Sequence, residues 1–464
     1  MPTECNTELF DFEPVAGHKV VAGFDGGAIT SDAGALLLGS TDRTLGLVER
    51  FAACFVDQRD PALIEHSVKT LVGQRLFGLA LGYEDVNDHD ALRHDPLFAV
   101  LAGKLKAERR GCAPVAGKST LNRLEMSKVE ATRYHKISYR AEAVETLLVD
   151  LFLEAHALPP DEIVLDLDAT DVVLHGEQEG RFFHGYYDNY CYLPLYVFCG
   201  RHLLAAGLRP ANQDASAGSV EEMVRIIGRI RSRWPHTRII LRADSGFARE
   251  ALMAWCEAND VDYLFGLAKN KRLKKAIAAE MTEVSAEGAR TGKPARRFKE
   301  FNYQTLTSWS RKRRVIAKAE WLPAWPADGK GKANPRFLVT SLTGPLHRAQ
   351  ALYEERYCAR GEMENRIKEC QLDLFGDRAF CHTMRANQLR LWFTAFAYVL
   401  MQGLRRIALV GTRLADATCS TIRLKLLKIG ALVRISVRRI KFSMASAYPY
   451  TDVFAQAWAR LAAA

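Results

Sequence analysis

The spacing of apolar positions changes character several times along the chain, and each change predicts a different element. In the N-terminal third, His18 to Phe24 reads as a strand followed by an Asp25-Gly26-Gly27 loop. After it, Ala35 to Leu47, Pro61 to Gly82 and Val144 to His156 carry apolar residues at helical spacing. From Asp161 the texture turns to strands: Glu162 to Asp168, the aromatic-rich stretch Phe182 to Tyr192, and Leu193 to Cys199. Gly185 and Asp188-Asn189 are the turn signals, so three meandering strands are predicted. Ser219-x-x-Glu222 then has the form of a capping box. It precedes an apolar stripe of Val220, Met223, Val224, Ile227 and Ile230, which predicts a helix to about Trp234. Arg238 to Ala243 returns to a buried strand, Ala248 to Asn259 to a helix, and Asp262 to Leu267 to a strand, giving the order β-β-β-α-β-α-β.

Beyond Ala268 basic clusters (Lys269 to Lys275, Arg296 to Lys299, Arg311 to Arg314) interrupt short strand-like runs such as Val315 to Ala319 and Arg336 to Thr340, with a Gly/Pro-containing loop from Pro323 to Pro335. From Arg348 the pattern is helical to about Val410, and beyond Arg423 it is basic and ambiguous between strand and helix. The expected organisation has five parts: a mostly helical region at 1–150, the first part of an α/β core at 151–268, a β-rich insertion at 269–346, the second part of the core at 347–410, and a basic C-terminal region at 411–464.

A chain of 464 residues exceeds one simple core, and two to four structural units are expected. Its formal net charge of +10 favours a polyanionic partner, because Lys and Arg that neutralise phosphates release counterions. The ten cysteines include no C-x-x-C pair, and Met1 to Phe10 lacks a basic stretch followed by an apolar run. Neither a zinc module nor secretion is indicated, and a reducing cytoplasm is expected. The longest apolar stretch, Leu391 to Leu404, is shorter than the roughly 20 residues a bilayer demands, so it is expected to be a buried helix and not a membrane span.

Candidate chemistry lies in three acidic stretches: Ile163 to Thr170, Arg242 to Phe247 and Tyr357 to Glu364. A carboxylate at the end of an apolar strand is costly to bury without a positive partner, and a divalent cation shared by two or three such groups is one solution. Side chains alternate along a strand, so Asp166 and Asp168 project to the same side and either could serve as the first carboxylate. If 162–168 and 238–243 lie as parallel neighbours, Asp168 and Asp244 meet, as in a ribonuclease H-like sheet. At 100° per residue, Tyr357, Arg360, Glu364, Lys368 and Gln371 fall within about 40° of one line while Glu362 points away, so Glu364 is the better third carboxylate. Arg360 and Lys368 would flank it and hold DNA phosphates. Carboxylates suit magnesium or manganese, and paired cations can activate a water or 3′-hydroxyl and stabilise the leaving oxygen. Against this stands the ordinary use of strand-end Asp as a turn former and of R-x-x-x-E-x-x-x-K as a solvated helix ion-pair ladder.

These residues resemble the DDE transposases of bacterial insertion sequences, in the branch with a β-rich insertion before the glutamate. Asp168-Ala169-Thr170 matches the D-x-T word, Asp244 sits in R-A-D-S-G-F, and Tyr357-x-x-Arg360-x-x-x-Glu364 matches Y-x-x-R-x-x-x-E. Thr30 to Gly34 and Asp85 to Arg93 are further similar to the thirteen-eighty family of insertion sequences. The signature's lysine is expected seven residues after the glutamate, where this chain has Gln371, so its role passes to Lys368. The resemblance implies an RNase H-like mixed-sheet core interrupted by the β-rich insertion, and a DNA-binding role for residues 1–150. It implies Asp168, Asp244 and Glu364 as catalytic ligands of two Mg²⁺ ions, with Mn²⁺ substituting, and Tyr357, Arg360 and Lys368 as phosphate contacts. The implied reaction is cut-and-paste transposition on terminal inverted repeats and target DNA. The implied setting is a homodimeric synaptic complex, without membrane, in the nucleoid-bearing cytoplasm of a bacterium. An aromatic in the insertion of related enzymes can stack on a flipped base, which nominates Trp309, although a core tryptophan is the commoner use.

Two other readings share this core: a catalytically idle DNA-binding repressor, and a nuclease without strand transfer. Gly111 to Thr120 has one residue too many for a Walker loop and follows Arg109-Arg110 instead of an apolar strand; Ser119 or Thr120 is expected to start a short helix through Leu124. Asp88-His89-Asp90 diverge on any regular element and read as a polar turn or cap. Phe182 to Tyr192 reads as cross-strand packing. The basic tail with Arg434, Arg438, Arg439 and Lys441 is open between a phosphate grip and a solvated face.

Overall fold

The computed structural model describes residues 9–323, 331–344 and 347–464; the centre of the expected loop from Pro323 to Pro335 lies outside the described residues. The chain divides into two compact units. One comprises Met1–Arg140, Asp373–Phe375 and Phe396–Ala464, the other Ala141–Leu372 and Gly376–Ala395.

The second unit is built on a nine-stranded mixed sheet. Its strands in chain order are β1 (Glu162–Ala169), β2 (Leu195–Cys199), β3 (His202–Gly207), β4 (Arg238–Ala243), β5 (Asp262–Leu267), β6 (Ala295–Tyr303), β7 (Arg313–Leu322), β8 (Lys332–Ala333) and β9 (Arg336–Thr340). They lie in the order β3-β2-β1-β4-β5-β9-β7-β6, with β8 on β7. β1, β4 and β5 run parallel at the centre, and antiparallel strands extend both sides. Parallel strands are buried on both faces, which is why Ile163-Val164-Leu165 and Ile239-Ile240-Leu241 are unbroken apolar runs. Among the described residues the strands of segment 269–346 join the core sheet: β9, β7 and β6 continue it from β5, with β8 on β7.

Strand alternation divides the work between two faces. Ile163, Leu165 and Leu167 of β1 and Ile239, Leu241 and Ala243 of β4 pack into one large core with Met223, Ile226, Ile227 and Ile230 of the helix Ser219–Arg233. Each of the Ile, Leu and Met side chains contributes about 1.5–3 kcal/mol on burial. On the opposite face Val164, Ile240, Leu264 and Ile316 pack beneath Leu352, Tyr353 and Tyr357. The helical run 349–373 therefore lies on the face to which even-numbered residues of β1 and β4 point.

Several local expectations are corrected. The capping box does not form: Gly218, left-handed at φ 74°, caps the helix Ser219–Arg233 without a side-chain bond, and Glu222 pairs with Arg225 instead. The aromatic stretch stays out of the core meander; Asn189–Tyr192 pairs with both Phe182–His184 and Val172–Val173 in a separate three-stranded sheet. The third meander strand is His202–Gly207, whose Leu-Leu-Ala-Ala run lacks the β-branched residues that mark strands in sequence. The helices Lys271–Ala276 and Ala278–Thr291 occupy a stretch whose lysines masked a buried stripe of Leu273, Ile277 and Val284.

In the first unit the resemblance words prove to be structural ties. Asp32 is fully buried, accepts a hydrogen bond from Tyr83 at 2.8 Å and pairs with Lys428 at 2.7 Å. Gly34 touches the backbone of Leu426 so closely that a Cβ would overlap it. The Asp85 side chain accepts from Asn87 N, Asp90 accepts from Lys118 N at 3.0 Å, and buried His89 hydrogen-bonds Gln74 at 3.0 Å. Burial pushes His89 down to about 3, so it is neutral; it lies buried in the short helix His89–Leu92 and not in the expected polar turn. The short helix is Lys118–Glu125. The apolar stretch lies in the helix Met384–Leu404, and among the described residues no helix is long and apolar enough to cross a membrane.

Candidate active site

The parallel register of β1 and β4 sets Arg242 opposite Asp166 and Ala243 opposite Leu167. One residue further come Asp168, near the end of β1, and Asp244, just beyond β4, whose charges interact. Both belong to the even-numbered set that points toward the run 349–373. Beyond Asp244 the chain turns at once, with Gly246 N donating to Asp244 Oδ1 at 2.8 Å.

Glycine makes room for the covering helix. Gly266 on β5 faces this side, and a Cβ there would stand 2.6 Å from the Tyr357 hydroxyl and 2.9 Å from Ser245 N. Tyr357 thus rests on the sheet beside Asp244. Arg242 also donates to the carbonyl of Arg356, tying the same turn to β4. The run is not one regular α-helix: Leu352–Tyr357 is π-helical, Cys358–Arg360 is 3₁₀, and Gly361–Lys368 is α-helical. Such widened turns recur at functional sites. The uniform 100° wheel therefore fails before residue 360, but it holds across the next turn, where Arg360 Nη2 donates to Glu364 Oε1 at 2.6 Å.

Arg360 joins the carboxylates electrostatically. Its Nη1 lies 3.6 Å from Asp168 Oδ2, buried and without a hydrogen bond of its own. Burial pushes the Asp168 carboxyl up to about 6; the Arg360 charge opposes the rise, and Asp244 and Glu364 reinforce it. For Arg360, burial alone would favour the neutral form, but Asp168, Tyr357, Glu364 and Asp244 hold its pKa above the ordinary value. Burial likewise raises Tyr357, with Arg360 opposing and Asp244 adding to the rise. Three acids share one guanidinium, and the site carries excess negative charge.

That excess is the ground for testing a metal. Among the described residues no three Asp, Glu, His or Cys side chains stand close enough together to hold one ion. The chemistry of the donors nevertheless fits: carboxylate oxygens are hard ligands suited to divalent cations, and a guanidinium held at 3.6 Å marks a place where positive charge is required. Asp168, Asp244 and Glu364 are the residues that could hold such ions, in competition with the Arg360–Glu364 pair.

Asp166 has a different occupation. Arg242 Nε and Nη2 bond its two oxygens at 2.5 and 2.7 Å, with both side chains almost fully buried. Burial raises its pKa while these bonds oppose the rise. An acid so engaged has no free oxygen edge for an ion, so its candidacy as alternate first carboxylate is withdrawn. Breaking a buried pair leaves an uncompensated charge, so Asp166→Asn is expected to cost about 3 kcal/mol of stability, measured by urea unfolding of the metal-free protein. An unchanged midpoint would contradict the structural role.

The remaining candidates separate. Lys368 is exposed on the far turn of the helix. Gln371 donates to the carbonyl of Asp171 at 3.0 Å, directly behind the D-x-T word. Trp309 is only 6% exposed, packed edge-on to Tyr303 at 5.8 Å and under Arg313 at 5.5 Å. Its indole belongs to the core of the unit, so its nomination for base stacking is corrected. Tyr187 was passed over as part of an aromatic packing stretch. Its hydroxyl donates to the carbonyl of Ala169 at 3.3 Å, and burial together with Asp171, Asp168 and Asp244 raises its pKa. The only sequence signal for it was its place among aromatics flanking a turn.

A family model described as Transposase DDE domain group 1 matches residues 12–464. Among solved structures, the chain is similar to a piggyBac transposase synaptic complex with hairpin DNA, determined by cryo-electron microscopy. The two share 11% sequence identity with a TM-score of 0.40, covering 86% of this chain and 80% of that one. No curated protein sequence matches the chain.

Proposed function

Because the chain belongs to the family of transposases with a DDE domain of group 1, we propose that it binds the terminal inverted repeats of an insertion sequence and cuts and joins DNA strands with two divalent cations. It is an enzyme of metal-dependent DNA cleavage. The observation that carries the finer reading is the register of the parallel neighbours β1 and β4, which brings Asp168 near the end of β1 and Asp244 just beyond β4 into electrostatic reach of Arg360 and Glu364. Divalent cations bound there would supply activation of a water or 3′-hydroxyl and stabilisation of the leaving oxygen.

The chain's own residues do the rest. Asp168 and Asp244 hold positive charge at the strand ends. Arg360 pairs with Glu364 and balances the carboxylates; were Glu364 to hold a cation, the Arg360 guanidinium would be available to a phosphate oxygen. Tyr357, seated on Gly266, fixes the height of that turn above the sheet. The words Thr30 to Gly34 and Asp85 to Arg93 support membership of the thirteen-eighty family of insertion sequences, and synapsis of two ends is served by a homodimer.

Incubating the purified chain with DNA bearing the element's ends and Mg²⁺ tests the reading. Excision with joining supports it; nicking alone would leave a nuclease, and a mobility shift without cutting an idle binder. In the same assay Arg360→Ala is expected to slow joining about ten- to a hundredfold, the value of a charge-assisted hydrogen bond, and to lower the melting temperature of the metal-free protein, because Asp168 and Glu364 lose their counter-charge. Unaltered turnover would reduce Arg360 to a surface ion pair.

A further inference from the structure

The hairpin of Ala431–Ile435 and Ile440–Met444 carries its charge in a pattern that folding alone disfavours. Arg434 stands directly opposite Lys441 in the antiparallel register, and like charges so placed weaken a strand pair. Arg438 and Arg439 add two more cations in the connecting turn. All four are exposed, and none of their charged groups forms an ion pair with a described residue. The base of the hairpin is anchored: Ala431 and Leu432 pair with Thr30 and Ile29, and Val433 N donates to the carbonyl of Ala28 at 2.7 Å. The turn is ordered too. Ser436 N donates to the Arg439 carbonyl at 2.9 Å and Arg439 N to Ser436 Oγ at 3.2 Å, while Val437 at the tip is fully exposed.

A rigid, protruding, four-cation ribbon without internal counter-charge calls for a polyanion. Of the elements that fit the major groove of B-form DNA, a two-stranded β-ribbon is one. We propose that residues 434–441 enter the major groove of duplex DNA, with Arg434, Arg438, Arg439 and Lys441 neutralising phosphates along it. The choice of DNA over other polyanions rests on the transposase reading; the hairpin assigns the contact to a particular element of the chain.

The test uses the full chain in EDTA, a fluorescein-labelled duplex of about 30 base pairs, and anisotropy titrations across a salt series. Each phosphate contact contributes about 0.9 to the slope of log K against log salt. The variant R434A/R438A/R439A/K441A is expected to lower that slope by about 3 to 4 with its melting temperature unchanged, since the four side chains are exposed and two repel each other. A slope equal to that of the wild type would overturn the proposal. A parallel titration on an RNA duplex, whose major groove is too deep and narrow for side chains to read, is expected to change far less. An equal loss on RNA would reduce the hairpin to general phosphate attraction and overturn the groove placement. Cleavage of element ends by the wild type is scored separately with Mg²⁺. Failure of the transposase reading would leave the wild type inert there, whereas failure of the hairpin would leave it active with the variant's slope intact.

Discussion

Asp244→Asn is expected to abolish Mg²⁺-dependent strand cleavage, by at least about a thousandfold, while leaving DNA affinity in EDTA unchanged. Asparagine has nearly the shape of aspartate, and its carbonyl oxygen can still accept the bond from Gly246 N that holds the turn. What disappears is the negative charge at the end of β4. Loss of groups that merely support a metal ligand costs 10- to 100-fold, and loss of the ligand itself costs more. Paired cleavage and anisotropy measurements separate the two effects. Retained cutting would remove Asp244 from the site.

Asp168→Asn is expected to do two opposite things: eliminate cleavage and stabilise the metal-free protein. The Asp168 carboxyl is pushed up from 3.8 to about 6, chiefly by burial, with Asp244 and Glu364 adding to the rise. The folded state therefore holds its proton more tightly than the unfolded chain. Its contribution is fully present below about pH 4 and is lost as pH rises through about 6. At pH 7 to 8 the ionised side chain costs the fold about 3 kcal/mol, which the neutral amide would recover. For a unit of this size that amounts to several degrees in melting temperature. In EDTA the wild type should lose stability between pH 5 and 7.5 relative to Asp168→Asn, and Mg²⁺ should restore stability to the wild type only. Parallel melting curves for the two proteins would contradict the strained state of this carboxylate.

This conflict between charge and fold is also why the site was legible. An acidic residue such as Asp168 beyond the apolar run Ile163-Val164-Leu165 is expensive where it stands, and expense marks function more clearly than composition does. Strand alternation and the α-helical turn from Arg360 to Glu364 follow from geometry that any sequence obeys, so the even-numbered face of β1 and the Arg360–Glu364 pairing could be read directly. Partner choice could not. Asp166 and Asp168 have the same parity on one strand, and only the register of β1 against β4, set by packing across the sheet, gives Arg242 to Asp166 and leaves Asp168 exposed to its neighbours' charge.

Other features escaped for equally local reasons. The π-helical turns of Leu352–Tyr357 have no residue signature, so a regular wheel was assumed there. Glu222 had a good capping position and a better ionic partner in Arg225. His202–Gly207 is an edge strand whose Leu and Ala side chains are buried, a composition that reads equally as a buried helix. Trp309 and Tyr187 show that burial is a property of the whole unit: Tyr303 and Arg313 pack the indole into the core, the commoner use of such a tryptophan, and the Tyr187 hydroxyl reaches the Ala169 carbonyl.

The most direct measurement is anomalous diffraction from the protein crystallised with DNA ends and Mn²⁺. The account predicts manganese peaks held between Asp168 and Asp244, with a Glu364 oxygen in the coordination sphere and the Arg360 guanidinium turned to a phosphate. Manganese bound elsewhere, or DNA seated on the protein with these three carboxylates empty and Glu364 still paired to Arg360, would contradict it.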